Sequence, residues 1–429
     1  MNLDCYIKFI YKTDKLHPII KDVISIFVYD LNLNLYKFYN ISHPDIPSNY
    51  SFEQFKNEYK DKKILLINKK DYDYFIDDFP YILDVGILYF IKSGEIIPKY
   101  VNEEYAYENN SGIITPYIIH QNIFLSEVDD ILDFLDKYDI KDCVNEYKFY
   151  NDLSDTLYQI ERNGLSIDRF KFNQYFENHY DSLDGNLVYS CYNILTITGR
   201  PSNSYDKINF SALNKNNNCR SSFVSRFNKG RLLLMDFSAY HPTIASKLIH
   251  YQFNDDISIY NHLGKLYFQK DILSENDIQY IKKSVMLLFY GDNINSNLSY
   301  IEYFKRVNIL KHNIWMFYNK NRYILTPIYK RKLSYEQIGE VSENKLFSYY
   351  IQAVETEINI KKLNSCIKYC KNISNSIVIP ILYVYDSIMF DTCNLSINVI
   401  NDLKNILEQG NFKIKTYIGE NYNNLTLIK

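Results

Sequence analysis

The stretch LLLMDFSAYHPTIASKL, residues 232–248, puts one carboxylate, Asp236, at the end of an apolar run. Leu232–Met235 reads as a short buried strand, and Ile244, Leu248 and Ile249 then recur at helical spacing. An acid at a strand-to-helix junction has two physical uses. It can cap the helix, accepting hydrogen bonds from the first-turn N–H groups. It can also stand at the lip of a sheet as a rigidly held metal ligand. This stretch alone leaves both open.

A second acid of the same kind lies in NSIVIPILYVYDSIMFDT (375–392). Ile377–Tyr385 reads as a buried strand that turns at Asp386, and Ile388–Phe390 resumes a strand, so a hairpin with Tyr385–Ser387 at its turn is predicted. Taken singly, Asp386 reads first as a solvated turn residue. Together, two carboxylates at strand ends suit a pair of magnesium ions, which take hard oxygen ligands and substrate phosphates and can serve an in-line phosphoryl displacement. Between the acids, DIQYIKKSVMLLFYGD (277–292) predicts a helix ended by Gly291, with Lys282, Met286, Phe289 and Tyr290 on one face. A cation and an aromatic on that face can grip phosphates and stack on a base. The bland alternative is an amphipathic helix with a solvated Lys282–Lys283 pair.

The remaining composition bounds the class. The length of 429 residues allows two or three domains, and 46% hydrophobic residues suffice for packed cores. Tyrosine is abundant, at 43 residues, and Asn, Ile and Lys are also frequent. All four have AT-rich codons, so genome bias explains them better than function does. No run of eighteen apolar residues argues for a membrane span, and the N-terminus lacks signal-peptide character. Seven scattered cysteines suit a reducing, cytoplasmic compartment. Cys366 and Cys370 have helical spacing but no matching second pair, so no zinc site is expected. Residues 1–150 carry 16 Lys+Arg against 25 Asp+Glu, and the remainder 32 against 26. That asymmetry hints that the C-terminal part meets a polyanion.

Along the chain, CYIKFIY, VISIFVYD and NLYKFYNI predict strands, SFEQFKNEYK a helix and KILLIN a strand, an α/β layer opening with hairpins. A polar, acidic stretch follows at 101–112. Helical periodicity then dominates from about 125, and recurs at 271–290, 301–320 and 343–370, with strands at 323–333 and 376–392. The segment around Gly264 lacks the glycines and Ser/Thr of a phosphate-binding loop.

At this point the residues carry a resemblance. Asp236 in DFSAYHP, Lys282 with Tyr290-Gly291, and Asp386 in YVYDS resemble motifs A, B and C of family A DNA polymerases. LYQIERNGLSID (157–168) is similar to the segment that opens the family's polymerase domain. TGRPSNSYDKINFSALNK (198–215) resembles its Thr-Gly-Arg element in a form seen in phage-encoded members. YILTPIYKRK (323–332), FSYYIQAVETEI (347–358) and IGENYNNL (418–425) are similar to three further elements, in the family's order.

The resemblance covers roughly residues 150–429 and implies a template-directed DNA polymerase that adds dNTPs to a primer 3′-OH. Asp236 and Asp386 would hold two Mg2+ ions, with the Phe237 carbonyl as an extra ligand. Lys282 would contact the triphosphate. Tyr290 and Met286 would lie by the template and nucleotide, and His241 by the sugar. Arg200, Asn209, Gln352 and Arg331 would contact primer–template DNA. Several positions depart from the family pattern. Ile278 replaces an Arg, which shifts triphosphate binding towards Lys283 or a residue elsewhere. Met286 replaces an aromatic residue, Tyr385 a His, Ser387 a Glu, and His241 the Glu that guards against ribose.

The expected architecture is α/β (α+β), with a ribonuclease-H-like N-terminal domain (1–145) ahead of a palm-and-fingers domain (146–429). Within the latter, 169–197 would form a reduced thumb, 198–250 palm, 251–345 fingers and 346–429 palm. The N-terminal part more faintly resembles the family's proofreading exonuclease, but its first strand lacks the Asp-x-Glu such chemistry requires, so inactivity is expected. A shortened thumb calls for a processivity factor or single-strand-binding protein as partner. Two alternatives stay open: a single-subunit RNA polymerase-like or ribose-tolerant enzyme, favoured by Ser387 and His241, and a non-catalytic DNA-binding relic. A reverse transcriptase does not fit, since motif C lacks paired aspartates.

Overall fold

A computed structural model describes the chain except residues 1–2, 14–16, 98–104, 110, 139, 178, 180–182, 204–207, 215, 255–256, 292–297, 299 and 429. Parts of the expected acidic stretch at 101–112, of the thumb segment and of the Thr-Gly-Arg element therefore lie outside the described residues. The chain divides into two compact units. One comprises residues 1–195 and 203–223, and the other residues 196–202 and 224–429.

In the first unit, a near-continuous apolar run makes β1 (Cys5–Thr13) a strand buried on both faces. It pairs antiparallel with β2 (Val23–Asp30), which pairs antiparallel with β3 (Leu35–Asn40). Helix α1 (Phe52–Tyr59), started by a Ser51–Gln54 capping box, crosses to β4 (Ile64–Leu66), parallel to β1. Helix α2 (Lys69–Ile76) leads to β5 (Ile82–Asp84), parallel to β4. The strand order is 3-2-1-4-5, and a short β6 (Ala106–Glu108) pairs parallel with the end of β1. Helix α3 (Val85–Ser93) begins at Asp84, whose carboxylate accepts from the backbone N–H groups of Asn68, Lys69, Gly86 and Ile87.

Cys5, Ile7 and Phe9 of β1 pack with Phe55 and Ile64, while Tyr6 and Ile10 pack with Phe124 and Val128 of α4 (Tyr117–Lys137). The period-2 alternation sends Lys8 to the α4 side. There it is buried, its ammonium donating to Glu127 at 3.2 Å and lying 3.9 Å from the centre of the Tyr105 ring. Tyr6 and Tyr105 also donate to Glu127. Helix α5 (Val144–Glu161) carries a second buried pair: the Lys70 ammonium lies 2.7 Å from each oxygen of Glu161. Burial pushes the Glu161 carboxyl up, and Lys70 opposes it. After Asp168, whose carboxylate accepts from the Lys171 N–H, the chain forms one short helix, α6 (Arg169–Tyr175).

The second unit is built on one antiparallel sheet. Strand β7 (Arg231–Ser238) is central, flanked by β11 (Ser387–Cys393) and β12 (Lys413–Gly419), with β10 (Ile377–Val384) and β13 (Leu425–Ile428) at the edges. Leu233, Met235 and Phe237 of β7 are buried, whereas Leu234, Asp236 and Ser238 are half-buried on the opposite face. Helix α7 (Tyr240–Leu248) follows β7. Next come α8 (Ile259–Phe268), α9 (Glu275–Tyr290) and α10 (Glu302–Asn321), the last bearing the single tryptophan, Trp315. A hairpin, β8 (Tyr323–Leu325) and β9 (Lys332–Ser334), precedes the 30-residue α11 (Glu343–Asn372), and α12 (Ile397–Glu408) follows the β10–β11 hairpin. No helix among the described residues is long and apolar enough to cross a membrane.

Lys70→Met should leave Glu161 charged and uncompensated in the core, which typically costs about 3–5 kcal/mol. A denaturant titration of the variant should show that loss, and a replacement of both residues by apolar ones should recover much of it.

Candidate active site

Hydrogen-bonded register brings the two acids together. Asp236 on β7 stands opposite Ser387 of β11, and the Phe237 N–H donates to the Asp386 carbonyl at 2.9 Å. Asp386 sits in the two-residue turn Tyr385–Asp386, closed by the Val384–Ser387 pair. The predicted hairpin is therefore present. Tyr385 takes a positive φ of 55°, a costly conformation for an aromatic residue. Its ring lies beneath the Arg200 guanidinium, 3.8 Å from the ring centre. Asp236 does not cap α7: that helix begins at Ala239, with no side-chain cap, so the capping alternative falls.

Phe237 is buried, its ring stacked on Tyr240 at 4.1 Å. On the other flank of β7, Lys415 stands opposite Asp236 and Lys413 opposite Ser238, both exposed. Cross-strand partners share a face, so two cations lie on the face that carries Asp236. Burial raises the Asp386 carboxyl above the usual range, and the charge of Glu355 raises it further. Its own backbone hydrogen bond, Arg200 and His241 oppose the shift. The Tyr260 hydroxyl of α8 is pushed up by burial and by Asp386.

Helix α9 starts at a Ser274–Asp277 capping box. Lys282, Lys283, Met286 and Tyr290 are exposed along it, whereas Phe289, expected on the same face, is fully buried and stacked on Phe347 at 5.7 Å. Lys282 lies two turns, roughly 12 Å, before Tyr290 along the helix axis. The Tyr290 hydroxyl meets His241 Nδ1, and His241 Nε2 lies 2.8 Å from Glu355 Oε2. The same oxygen is 3.6 Å from Arg200 Nε. Tyr290, His241, Arg200, Tyr385 and the two aspartates thus form one constellation.

Three predicted residues stand elsewhere. Gln352 is half-buried on α11 and donates to Ser348 at 3.0 Å. Asn209 belongs to the first unit, where it is exposed and accepts from Ser211 N–H and hydroxyl. Arg331 is only 1% exposed. Its guanidinium donates to the Ile197 and Thr198 carbonyls at 3.4 and 2.9 Å and lies 3.5 Å from Glu357. It therefore braces the turn that presents Arg200. Gly199, at φ 72°, and the Thr198 hydroxyl, which accepts from Arg200 N–H, complete that turn.

Sequence reasoning missed Glu355, Glu357, Asn359, Tyr260 and the Lys413–Lys415 pair. The Asn359 amide donates to the Tyr383 hydroxyl at 2.7 Å and to the Tyr385 carbonyl at 3.0 Å, holding the Asp386 turn, and accepts from Tyr240. One signal was available: FSYYIQAVETEINI is periodic yet places acids and amides among its apolar positions, so polar groups on this helix must be buried.

No protein-family model and no curated protein matches the sequence. Among solved structures, the chain is similar to the POL domain of Pol1 from M. smegmatis in complex with DNA primer-template and dNTP. The TM-score is 0.71 at 12% identity, over 98% of this chain and 95% of that one. The fold is that of a DNA polymerase domain.

Arg331→Met should cost about 3–5 kcal/mol by stranding the buried Glu357. Equilibrium unfolding checks the magnitude.

Proposed function

We propose that the chain is a template-directed DNA polymerase of the family A type, in a compact phage-like form. It would extend a primer 3′-OH with dNTPs. The observation that carries this reading is the pair of carboxylates, Asp236 and Asp386, on adjoining strand ends of a sheet in a polymerase-domain fold. The donor set fits magnesium. Two carboxylates and the Phe237 carbonyl are hard oxygen ligands, and Mg2+ is usually held by one or two carboxylates with water and substrate phosphates filling the rest. Burial and the neighbouring Glu355 already disfavour charge on Asp386, so a cation there relieves crowding that the protein imposes. When bound, two such ions would lower the pKa of the attacking hydroxyl and offset charge on the leaving pyrophosphate.

The chain's own residues do the positioning. Lys282 Nζ would pair with the triphosphate and hold a proton for the leaving group, with Lys283 beside it. Met286 and the Tyr290 ring would present an apolar and aromatic edge to the templating base, while His241 and the Tyr290 hydroxyl bonded to it would together wall the sugar. Arg200 is suited to the minor groove at the primer end, where a guanidinium reads acceptors common to all base pairs. Asn209 and Gln352 add primer–template contacts, and Arg331 acts by bracing Arg200.

Residues 146–429 would form the polymerase domain, and 1–145 a ribonuclease-H-like domain without nuclease activity. Lys8, buried against Glu127 on the first strand, supports that last reading, because nuclease metals need clustered free carboxylates. A thumb confined to residues 169–197 would make a processivity factor or single-strand-binding protein a fitting partner.

A primer-extension assay with Mg2+ tests the reading. Asp236→Asn and Asp386→Asn should each abolish extension while changing DNA binding only a few-fold, since duplex affinity comes mainly from phosphate contacts. Normal extension by either variant would overturn the assignment. The same preparation should show no Mg2+-dependent 3′→5′ degradation of mismatched ends. Degradation that persists in Asp236→Asn would place a working nuclease in this chain.

A further inference from the structure

One buried side chain joins the two halves of the proposed site, and no motif points to it. Glu355 is 1% exposed. Its Oε2 accepts from His241 Nε2 at 2.8 Å, and the other ring nitrogen, Nδ1, meets the Tyr290 hydroxyl. A carboxylate on Nε2 requires a proton there. In the neutral ring Nδ1 is then an acceptor, and Tyr290 must donate to it. Oε2 also faces Arg200 Nε at 3.6 Å, while Oε1 has no hydrogen-bond partner among the described residues. A single charge therefore serves both the turn that presents Arg200 and the end of the helix that presents Tyr290.

We propose that Glu355 is a positioning residue for sugar selection. Through His241 it fixes Tyr290 as a rigid wall beside the nucleotide sugar, and through Arg200 it ties that wall to the primer end. This rests on the polymerase reading and deepens it. Without Glu355 the imidazole has two tautomers, and only one accepts from Tyr290. Tyr290 is 43% exposed at the end of its helix, where packing alone holds it weakly. Once it is released, the space that a 2′-hydroxyl needs opens. Discrimination of one added hydroxyl by shape is intrinsically modest, so it depends on how stiff the wall is. A purely structural Glu355 would lower extension with both sugars alike and leave their ratio unmoved.

The test is competition of dATP against ATP on one primed template with Mg2+, read as the ratio of kcat/KM values. Glu355→Ala should narrow the wild-type ratio about tenfold, the worth of one buried hydrogen bond. Glu355→Gln, whose amide oxygen can still accept from Nε2, should restore part of it. Tyr290→Phe removes one hydroxyl at the far end of the relay, so it reads the same linkage even if Glu355→Ala does not fold. It should narrow the ratio similarly, and adding Glu355→Ala to it should change nothing further. An unchanged ratio in Tyr290→Phe, or in a Glu355→Ala that still extends, would sink the relay; so would effects that multiply in the double variant. Wild-type protein unable to extend with dNTPs would instead bring down the polymerase reading, and this proposal with it.

Discussion

The bond from Phe237 N–H to the Asp386 carbonyl fixes the register on which the site depends. A slip of one residue between β7 and its neighbour would turn Asp236 into the core and Phe237 out of it, because side chains alternate with a period of two. The register is defended from both sides. Phe237 is packed on Tyr240 within the core, and the Asp386 turn is pinned from behind by the Asn359 amide. Neither acid chooses its own place.

Helix α11 supplies most of that restraint. Within five residues it offers Glu355 to His241 and Arg200, Glu357 to Arg331 and to the Ile328 and Tyr329 N–H groups, and Asn359 to the Asp386 turn. Buried polar groups are costly unless satisfied, so this helix is stable only when the loops around it adopt their places. The helix and the loops specify one another. Tyr385 illustrates the result: its positive φ persists because Arg200 covers its ring and Asn359 holds its carbonyl.

Much of the fold was legible in the sequence. Near-continuous apolar runs in CYIKFIYKT and VISIFVYD mark strands buried on both faces, and long helical patterns mark α9, α10 and α11. The two acids were visible as charges at the ends of apolar runs. Less visible were the partners, since a hydrogen bond between Glu355 and His241 spans 114 positions and leaves no local pattern. Arg331 shows the same gap from the other side. An arginine in a polar hairpin reads as exposed, and its burial is decided by two carbonyls and an acid contributed from distant segments. Phe289 differs from the helical-wheel reading because Phe347 gives it a stacking surface that the helix itself does not announce.

The linkage of His241 to Glu355 also constrains how this sequence can change. A carboxylate at 241 would face the buried Glu355 with no proton between them, beside Asp386. An apolar residue at 355 would leave Arg200 without its counter-charge while His241 lost its tautomer. Each single change leaves a buried charge or ring nitrogen without its partner, although the two taken together need not. Positions 241 and 355 therefore move through sequence space as one unit, and among divergent relatives they should be found substituted in company or not at all.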